Sequence, residues 1–241
     1  MEEVSLSIVV PVFNEEGNAV RLAHEIADVF KDTSYEMIFV DDASTDATLG
    51  TLVVAKADLP TLRVLHHQKN AGQSRAIRTG ALAAKGEILG ILDGDGQNDP
   101  ADLPMLLDHY QTTAPRPGMV TGERLKRQDH WNKRLASKLG NAIRGLILRD
   151  GIRDAGCGLK ILSRQTYLRL PFFDHQHRYM AALTIREGLK VATLPVRHRP
   201  RQSGQSKYSN FGRLAVSIRD ILGVMWLQSR ARRPGDIAEK Q

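Results

Sequence analysis

Asp93-Gly94-Asp95-Gly96-Gln97 places two carboxylates and an amide at alternate positions, directly after the apolar run Ile88–Leu92. Oxygen donors on a tight, glycine-permitted turn suit a hard divalent cation such as Mg²⁺ or Mn²⁺ that also holds a diphosphate. An acidic surface turn, or the start of a calcium loop, uses the same residue types. A helix-flanked calcium loop needs a Glu at its twelfth position, and counting from Asp93 that place is taken by Pro104. Asp99-Pro100 is a good helix opening, with Asp99 as the N-cap rather than a ligand.

A second group is Asp41-Asp42-Ala43-Ser44-Thr45-Asp46. Adjacent carboxylates at the end of an apolar run repel each other unless something binds them, which makes Asp42 a candidate acceptor for a base or a ribose. Ser44 stands where it could cap the following helix, with Asp46 adding charge to the first turn. Gln68–Ser74 reads as a capping turn; its other reading presents backbone N–H groups or Arg75 to a phosphate. In Asp154-Ala155-Gly156-Cys157-Gly158 no base lies near the thiol in sequence, so Cys157 reads as a small buried residue. His66, His67, His175 and His177 lack metal-site spacing and read as surface or packing residues.

These groups need a scaffold, and the first half of the chain supplies one. Apolar runs at Leu6–Val12, Tyr35–Val40, Leu62–Leu65 and Glu87–Leu92 alternate with helix-like stretches at Gly17–Phe30, Asp46–Ala57 and Ala71–Ala84. Such order predicts an α/β fold with a mostly parallel sheet and helices on both faces. Ligands then bind outside the carboxyl ends of the strands. The exits there read Pro11-Val12-Phe13-Asn14-Glu15, the Asp41–Asp46 group and Asp93-Gly94-Asp95. Beyond about Arg116 the alternation fades and cations thicken, from Arg124 through Arg149 and again from Arg197 through Lys207.

A net charge of +7 calls for an anionic partner: nucleic acid, a membrane surface or a phosphorylated substrate. Aromatics make up only 5% of the chain and form no stacking platform, which argues against nucleic acid. A single cysteine allows no intrachain disulfide and suggests a reducing, cytoplasmic setting. The N-terminus lacks the basic and apolar regions of a signal peptide, and Ile221–Leu227 is far short of the roughly 20 residues that span a bilayer. Phe211, Leu214, Ile218, Ile221, Leu222, Met225 and Trp226 recur at helical spacing among arginines. That stripe suits either a packed core helix or a helix lying on an anionic membrane surface.

Taken in order, Pro11-x-Phe13-Asn14-Glu15, Val40-Asp41-Asp42-x-Ser44-x-Asp46 and Asp93-x-Asp95-x-Gln97 resemble the inverting, GT-A-fold family 2 glycosyltransferases. The likeness is to the polyprenyl-phosphate branch, including dolichol-phosphate mannose synthases and undecaprenyl-phosphate sugar transferases. It extends through Gly122-x-Arg124, Ser137, Asp154-x-x-x-Gly158 and Gly204-Gln205-Ser206-Lys207-Tyr208, nearly the whole chain. The resemblance implies that Pro11, Phe13, Glu15 and Asp42 line the base and ribose, and that Asp93, Asp95 and Gln97 hold the Mg²⁺ or Mn²⁺ and the donor diphosphate. Asp95 and Gln97 would be the metal ligands, while Arg124, Lys133, Arg134, Ser137 and Lys207 would face the donor and lipid phosphates. The family often has Tyr and Arg where Phe13 and Lys133 stand, so the phosphate role falls on Lys133 or Arg134.

The expected reaction is transfer of a sugar from a UDP- or GDP-sugar to a polyprenyl phosphate. Many relatives carry C-terminal membrane helices; this sequence shows none, which implies a peripheral enzyme on the cytoplasmic face of the membrane, docked directly or through a small membrane protein. The expected organisation is a catalytic domain over 1–210, an interfacial helix over 211–229 and a disordered tail over 230–241. Two enzymatic alternatives remain. A nucleotidyltransferase would carry a basic Gly-rich loop after the first strand, where this chain has Asn14-Glu15-Glu16. A family 2 enzyme with a soluble acceptor is the nearer one.

Overall fold

A computed structural model describes residues 4–124, 144–145, 147–200 and 210–232. Its centre is a seven-stranded sheet in the order β3-β2-β1-β4-β6-β5-β7. The strands are β1 (Leu6–Val12), β2 (Tyr35–Asp41), β3 (Leu62–His66), β4 (Ile88–Ile91), β5 (Met119–Arg124), β6 (Lys160–Ser163) and β7 (Val191–Val196). β1 pairs in parallel with β2 and β4, and β2 with β3; β6 runs antiparallel between β4 and β5, and β7 is parallel to β5. The α/β fold and the mostly parallel sheet expected from the sequence are both present.

β1 and β2 are buried along their whole length, which is why each reads as an unbroken apolar run: a strand covered on both faces has no solvent side to mark with polar residues. Leu6, Ile8, Val10 and Val12 point into one core with α1 (Ala19–Val29), α2 (Thr48–Ala55) and α4 (Leu103–Thr112). Val9, Ile38 and Val40 point into the other, with α3 (Gln73–Ala83), α5 (Arg164–Arg169) and α6 (Met180–Arg186). α1 buries Ala19, Leu22, Ala23 and Ile26, the i, i+3, i+4, i+7 face that its sequence announced. α3 comes close to β1 because Gly80 leaves room: a Cβ there would sit 2.4 Å from Val9 Cγ1.

The last helix, α7 (Asn210–Ser229), sinks Val224 into the second core with Ile221 and Leu227 against its edge. Its other side shows Ile218, Leu222, Met225 and Trp226 at 52%, 59%, 41% and 60% exposure. One local expectation needs correction. Ser44 does not cap α2, which starts four residues later at Thr48; the Asp46 carboxylate accepts the Thr48 N–H at 3.0 Å, and Ser44 Oγ accepts the Asn14 N–H at 2.9 Å.

Candidate active site

Parallel pairing of β1 with β2 and β4 brings three acid-bearing exits side by side at one edge of the sheet. The first two loops are laced together: Thr45 N–H donates to Asn14 Oδ1 at 2.7 Å, Glu15 N–H to Thr48 Oγ1 at 2.8 Å and Ala47 N–H to Glu16 Oε2 at 3.0 Å. Pro11 is buried at the end of β1, while Phe13 and Glu15 are half-buried just beyond it. Glu15 accepts the Asn18 side-chain amide at 2.8 Å.

Asp42 is where the sequence placed it, but its carboxylate is already engaged. It accepts the N–H groups of Ala71 and Gly72 at 2.9 and 2.7 Å and faces His67 Nδ1 at 2.7 Å. The Asn70 amide donates to its carbonyl at 2.9 Å. Asp42 therefore anchors the turn into α3, and Gly72, with φ +87°, is the residue whose freedom lets that turn form. Its neighbour Asp41 keeps a free acceptor. Asp41 Oδ2 takes the Ser44 N–H at 3.2 Å and faces His66 Nδ1 at 2.8 Å, whereas Oδ1 is buried without a hydrogen bond among the described residues. Each carboxylate of the adjacent pair thus faces one histidine ring nitrogen. His66 and His67 orient the acids, a role beyond the surface or packing function expected of them.

Asp93 leaves β4 half-buried, its Oδ1 accepting the Gln73 side-chain amide from the first residue of α3 at 2.7 Å. Two glycines pack tightly here, and Gly158 is the one that makes room for the carboxylate. A Cβ on Gly158 would lie 2.4 Å from Asp93 Oδ2, and one on Gly94 would lie 2.7 Å from the Pro11 carbonyl oxygen. Burial pushes the Asp93 carboxyl up from the usual range, and the Asp95 charge adds to this, against Lys160, Arg124 and Gln73. Asp95 Oδ1 accepts the Gln97 N–H at 3.1 Å across a turn in which Gly96 has φ +72°. Arg199 N–H donates to the Gln97 carbonyl at 2.8 Å, so the segment after β7 lies along the acidic turn. Asp99 is the cap it was expected to be, taking the Ala101 N–H at 3.1 Å and pairing with Arg197 and Arg199 at 3.2 and 2.8 Å.

Arg124 ends β5 and grips Asp154 with two guanidinium bonds of 2.7 Å each. Burial opposes its charge, but the Asp154 hydrogen bonds and charge hold the proton more firmly than usual. Two residues missed in the sequence complete this corner. Lys160 is buried on β6, its ammonium donating to the Cys157 carbonyl. Burial lowers its pKa, opposed by the carboxylates of Asp93 and Asp154. Cys157 is the buried residue it was expected to be, and burial raises its thiol pKa. A lone lysine amid Leu159, Ile161 and Leu162 was the readable signal for Lys160; Gln73 had none beyond its place at a helix start.

Among the described residues no three His, Cys, Asp or Glu side chains converge as a metal cluster. Asp95 and Gln97 offer oxygen donors only, which fits a hard cation that completes its shell with diphosphate oxygens and water. Lys133, Arg134, Ser137 and Lys207 lie outside the described residues.

Residues 7–170 match the model of the glycosyl transferase family 2 domain. A dodecaprenyl-phosphate galacturonate synthase from Rhizobium johnstonii is 32% identical over 98% of this chain and 70% of its own. An undecaprenyl-phosphate 4-deoxy-4-formamido-L-arabinose transferase from Sodalis glossinidius is 30% identical over 85% of this chain and 63% of its own. Both relatives are thus longer than the part of them that this chain matches. Among solved structures, a glucosyl-3-phosphoglycerate synthase from Mycobacterium tuberculosis, in complex with Mn²⁺, UDP-glucose and phosphoglyceric acid, superposes at TM-score 0.69 with 18% identity, over 96% of this chain and 81% of its own. The mannosyl-3-phosphoglycerate synthase of Rubrobacter xylanophilus gives 0.67 with 17% identity, over 97% and 79%. With the fold, the ordered motifs and the family match in agreement, the chain belongs to glycosyl transferase family 2 and is a glycosyltransferase of GT-A architecture.

Proposed function

We propose that this glycosyltransferase moves a sugar from a nucleoside diphosphate sugar to a polyprenyl phosphate, with inversion, at the surface of the cytoplasmic membrane. The observation that carries the reading is the match, over 98% of this chain, to a polyprenyl-phosphate sugar transferase, joined to three acid-bearing exits on one sheet edge. In this reading Pro11, Phe13, Glu15 and the Asp41–Asp42 pair border the nucleoside. Gln73 orients Asp93 toward the diphosphate, and Asp95 and Gln97 hold Mg²⁺ or Mn²⁺. Such a cation would stabilise charge developing on the leaving nucleoside diphosphate.

The acceptor explains why no catalytic base stands out. A phosphate monoester is anionic near neutral pH and attacks without losing a proton, so the protein must screen charge rather than create a nucleophile. Arg124, held by Asp154, and the buried Lys160 bring positive charge to Asp93. Lys133, Arg134, Ser137 and Lys207 are assigned to the phosphates by their motifs. No helix among the described residues is long and apolar enough to cross a membrane, so the exposed stripe of α7, flanked by Arg219, Arg230 and Arg232, is assigned to the bilayer surface. Product analysis tests the reaction: NMR of the glycolipid shows an anomeric configuration opposite to that of the donor. Retained configuration, or sugar found only on soluble phosphate acceptors, would refute it.

A further inference from the structure

Ser74 and His177 stand 103 residues apart and meet in a part-buried contact beside the candidate site. Ser74 Oγ lies 2.7 Å from His177 Nδ1 and accepts the His177 backbone N–H at 3.2 Å. Among the described residues Nδ1 is the one acceptor that the Ser74 hydroxyl meets; when the hydroxyl donates to it, a neutral ring carries its proton on Nε2. Burial drives the imidazole well below its usual pKa, and Arg178, Lys160 and His175 push the same way, which keeps it a neutral acceptor.

Each partner sits on a fixed element. His177 belongs to a 3₁₀ turn, Gln176–Arg178, which is pinned on both sides: His175 Nδ1 faces Asp220 of α7 at 3.1 Å, and the Tyr179 hydroxyl donates to the Ser217 carbonyl of α7 at 3.4 Å. The Gln176 amide donates inward to the Pro171 carbonyl at 3.0 Å. Ser74 is the second residue of α3, immediately after Gln73, whose amide holds Asp93. The turn just before it carries the Ala71 and Gly72 N–H groups that hold Asp42. Four residues, Ala71 to Ser74, thus span two acidic exits, and His177 closes on them from the C-terminal layer.

We propose that His177 and Ser74 form a positioning pair for sugar transfer: together they fix the start of α3, and so hold the Gln73 amide on Asp93. Neither touches the reacting atoms in this account. The pair's role in catalysis rests on the reading under Proposed function, whereas its structural effect on Gln73 does not.

The experiment is a mutant cycle with two readouts on the whole chain: steady-state transfer, and the ¹⁵N–¹H signals of the Gln73 side-chain amide. Ser74→Ala and His177→Ala each lower kcat by about tenfold, and the double variant loses no more than either one, as partners acting as a unit do. His177→Asn, which keeps a polar atom near the place of Nδ1, recovers most of the rate; His177→Gln, which places it near Nε2, does not. The Gln73 amide signals move in Ser74→Ala and His177→Ala and return in His177→Asn. Additive losses, or Gln73 signals unchanged in all variants, overturn the proposal; so does a lower Tm with unaltered kcat. If the wild-type chain transfers no sugar, the functional reading fails and the Gln73 signals alone decide the pair.

Discussion

Gly158 shows how little room the acidic corner allows. Its missing side chain lets Asp93 Oδ2 occupy space that any Cβ would claim, with Asn98 Nδ2 crowding the same point at 2.5 Å. Gly158→Ala is expected to displace the carboxylate, lower transfer by at least about tenfold and, because the position is buried, cost about 1–3 kcal/mol of stability from overpacking. Parallel measurement of kcat/KM and of urea unfolding separates the two effects. His177 gives a pH signature. Its folded-state pKa lies below that of the unfolded chain, so the unfolded state binds more protons as pH falls through about 6.5. Stability is full above that value and drops on the acid side, by up to about 1.4 kcal/mol per pH unit from this group. Urea midpoints at about pH 5.5 and 7.5 should differ less in His177→Asn than in the wild type. That Asp42, Asp93, Asp95 and Gln97 follow strand ends could be read from the sequence because short acidic motifs follow apolar runs. The histidines could not, because what defines them is a carboxylate or hydroxyl partner brought up by another strand or helix.

Helices and strands of the first half were legible for a physical reason: β1, β2 and β4 are covered on both faces, and α1 carries a clear amphipathic stripe. The second half was not. β6 is a four-residue antiparallel strand holding a buried lysine, and most of β7 is only half-buried, so neither shows a clean period. α7 sits between these cases. The sequence left it as core helix or membrane helix, and the structure shows a buried side at Val224 and an exposed apolar side at Trp226. Substituting Leu222 and Trp226 by Glu should weaken binding to anionic vesicles by at least about tenfold, because each buried large apolar side chain contributes about 1.5–3 kcal/mol. Sedimentation with vesicles measures this, and Tm should stay within a few degrees. Val224→Asp, by contrast, places a charge in the core and should lower Tm sharply.

Taken as one molecule, the chain combines a net charge of +7 with an acidic turn whose carboxylates suit a divalent cation and a diphosphate. The fold gathers the three acid-bearing exits on one edge, and α7 presents an apolar face flanked by arginines. Under the proposed function, an anionic donor, an anionic lipid acceptor and an anionic bilayer would give those cations a common purpose. The decisive measurement is entry of labelled sugar into the organic phase when the protein is mixed with a polyprenyl phosphate, Mg²⁺ or Mn²⁺ and a panel of UDP- and GDP-sugars. The account predicts transfer from one donor, abolished by EDTA and reduced by at least about a hundredfold in Asp95→Ala. Transfer that persists undiminished in EDTA and in Asp95→Ala, or label that never enters the lipid from any donor, would contradict it.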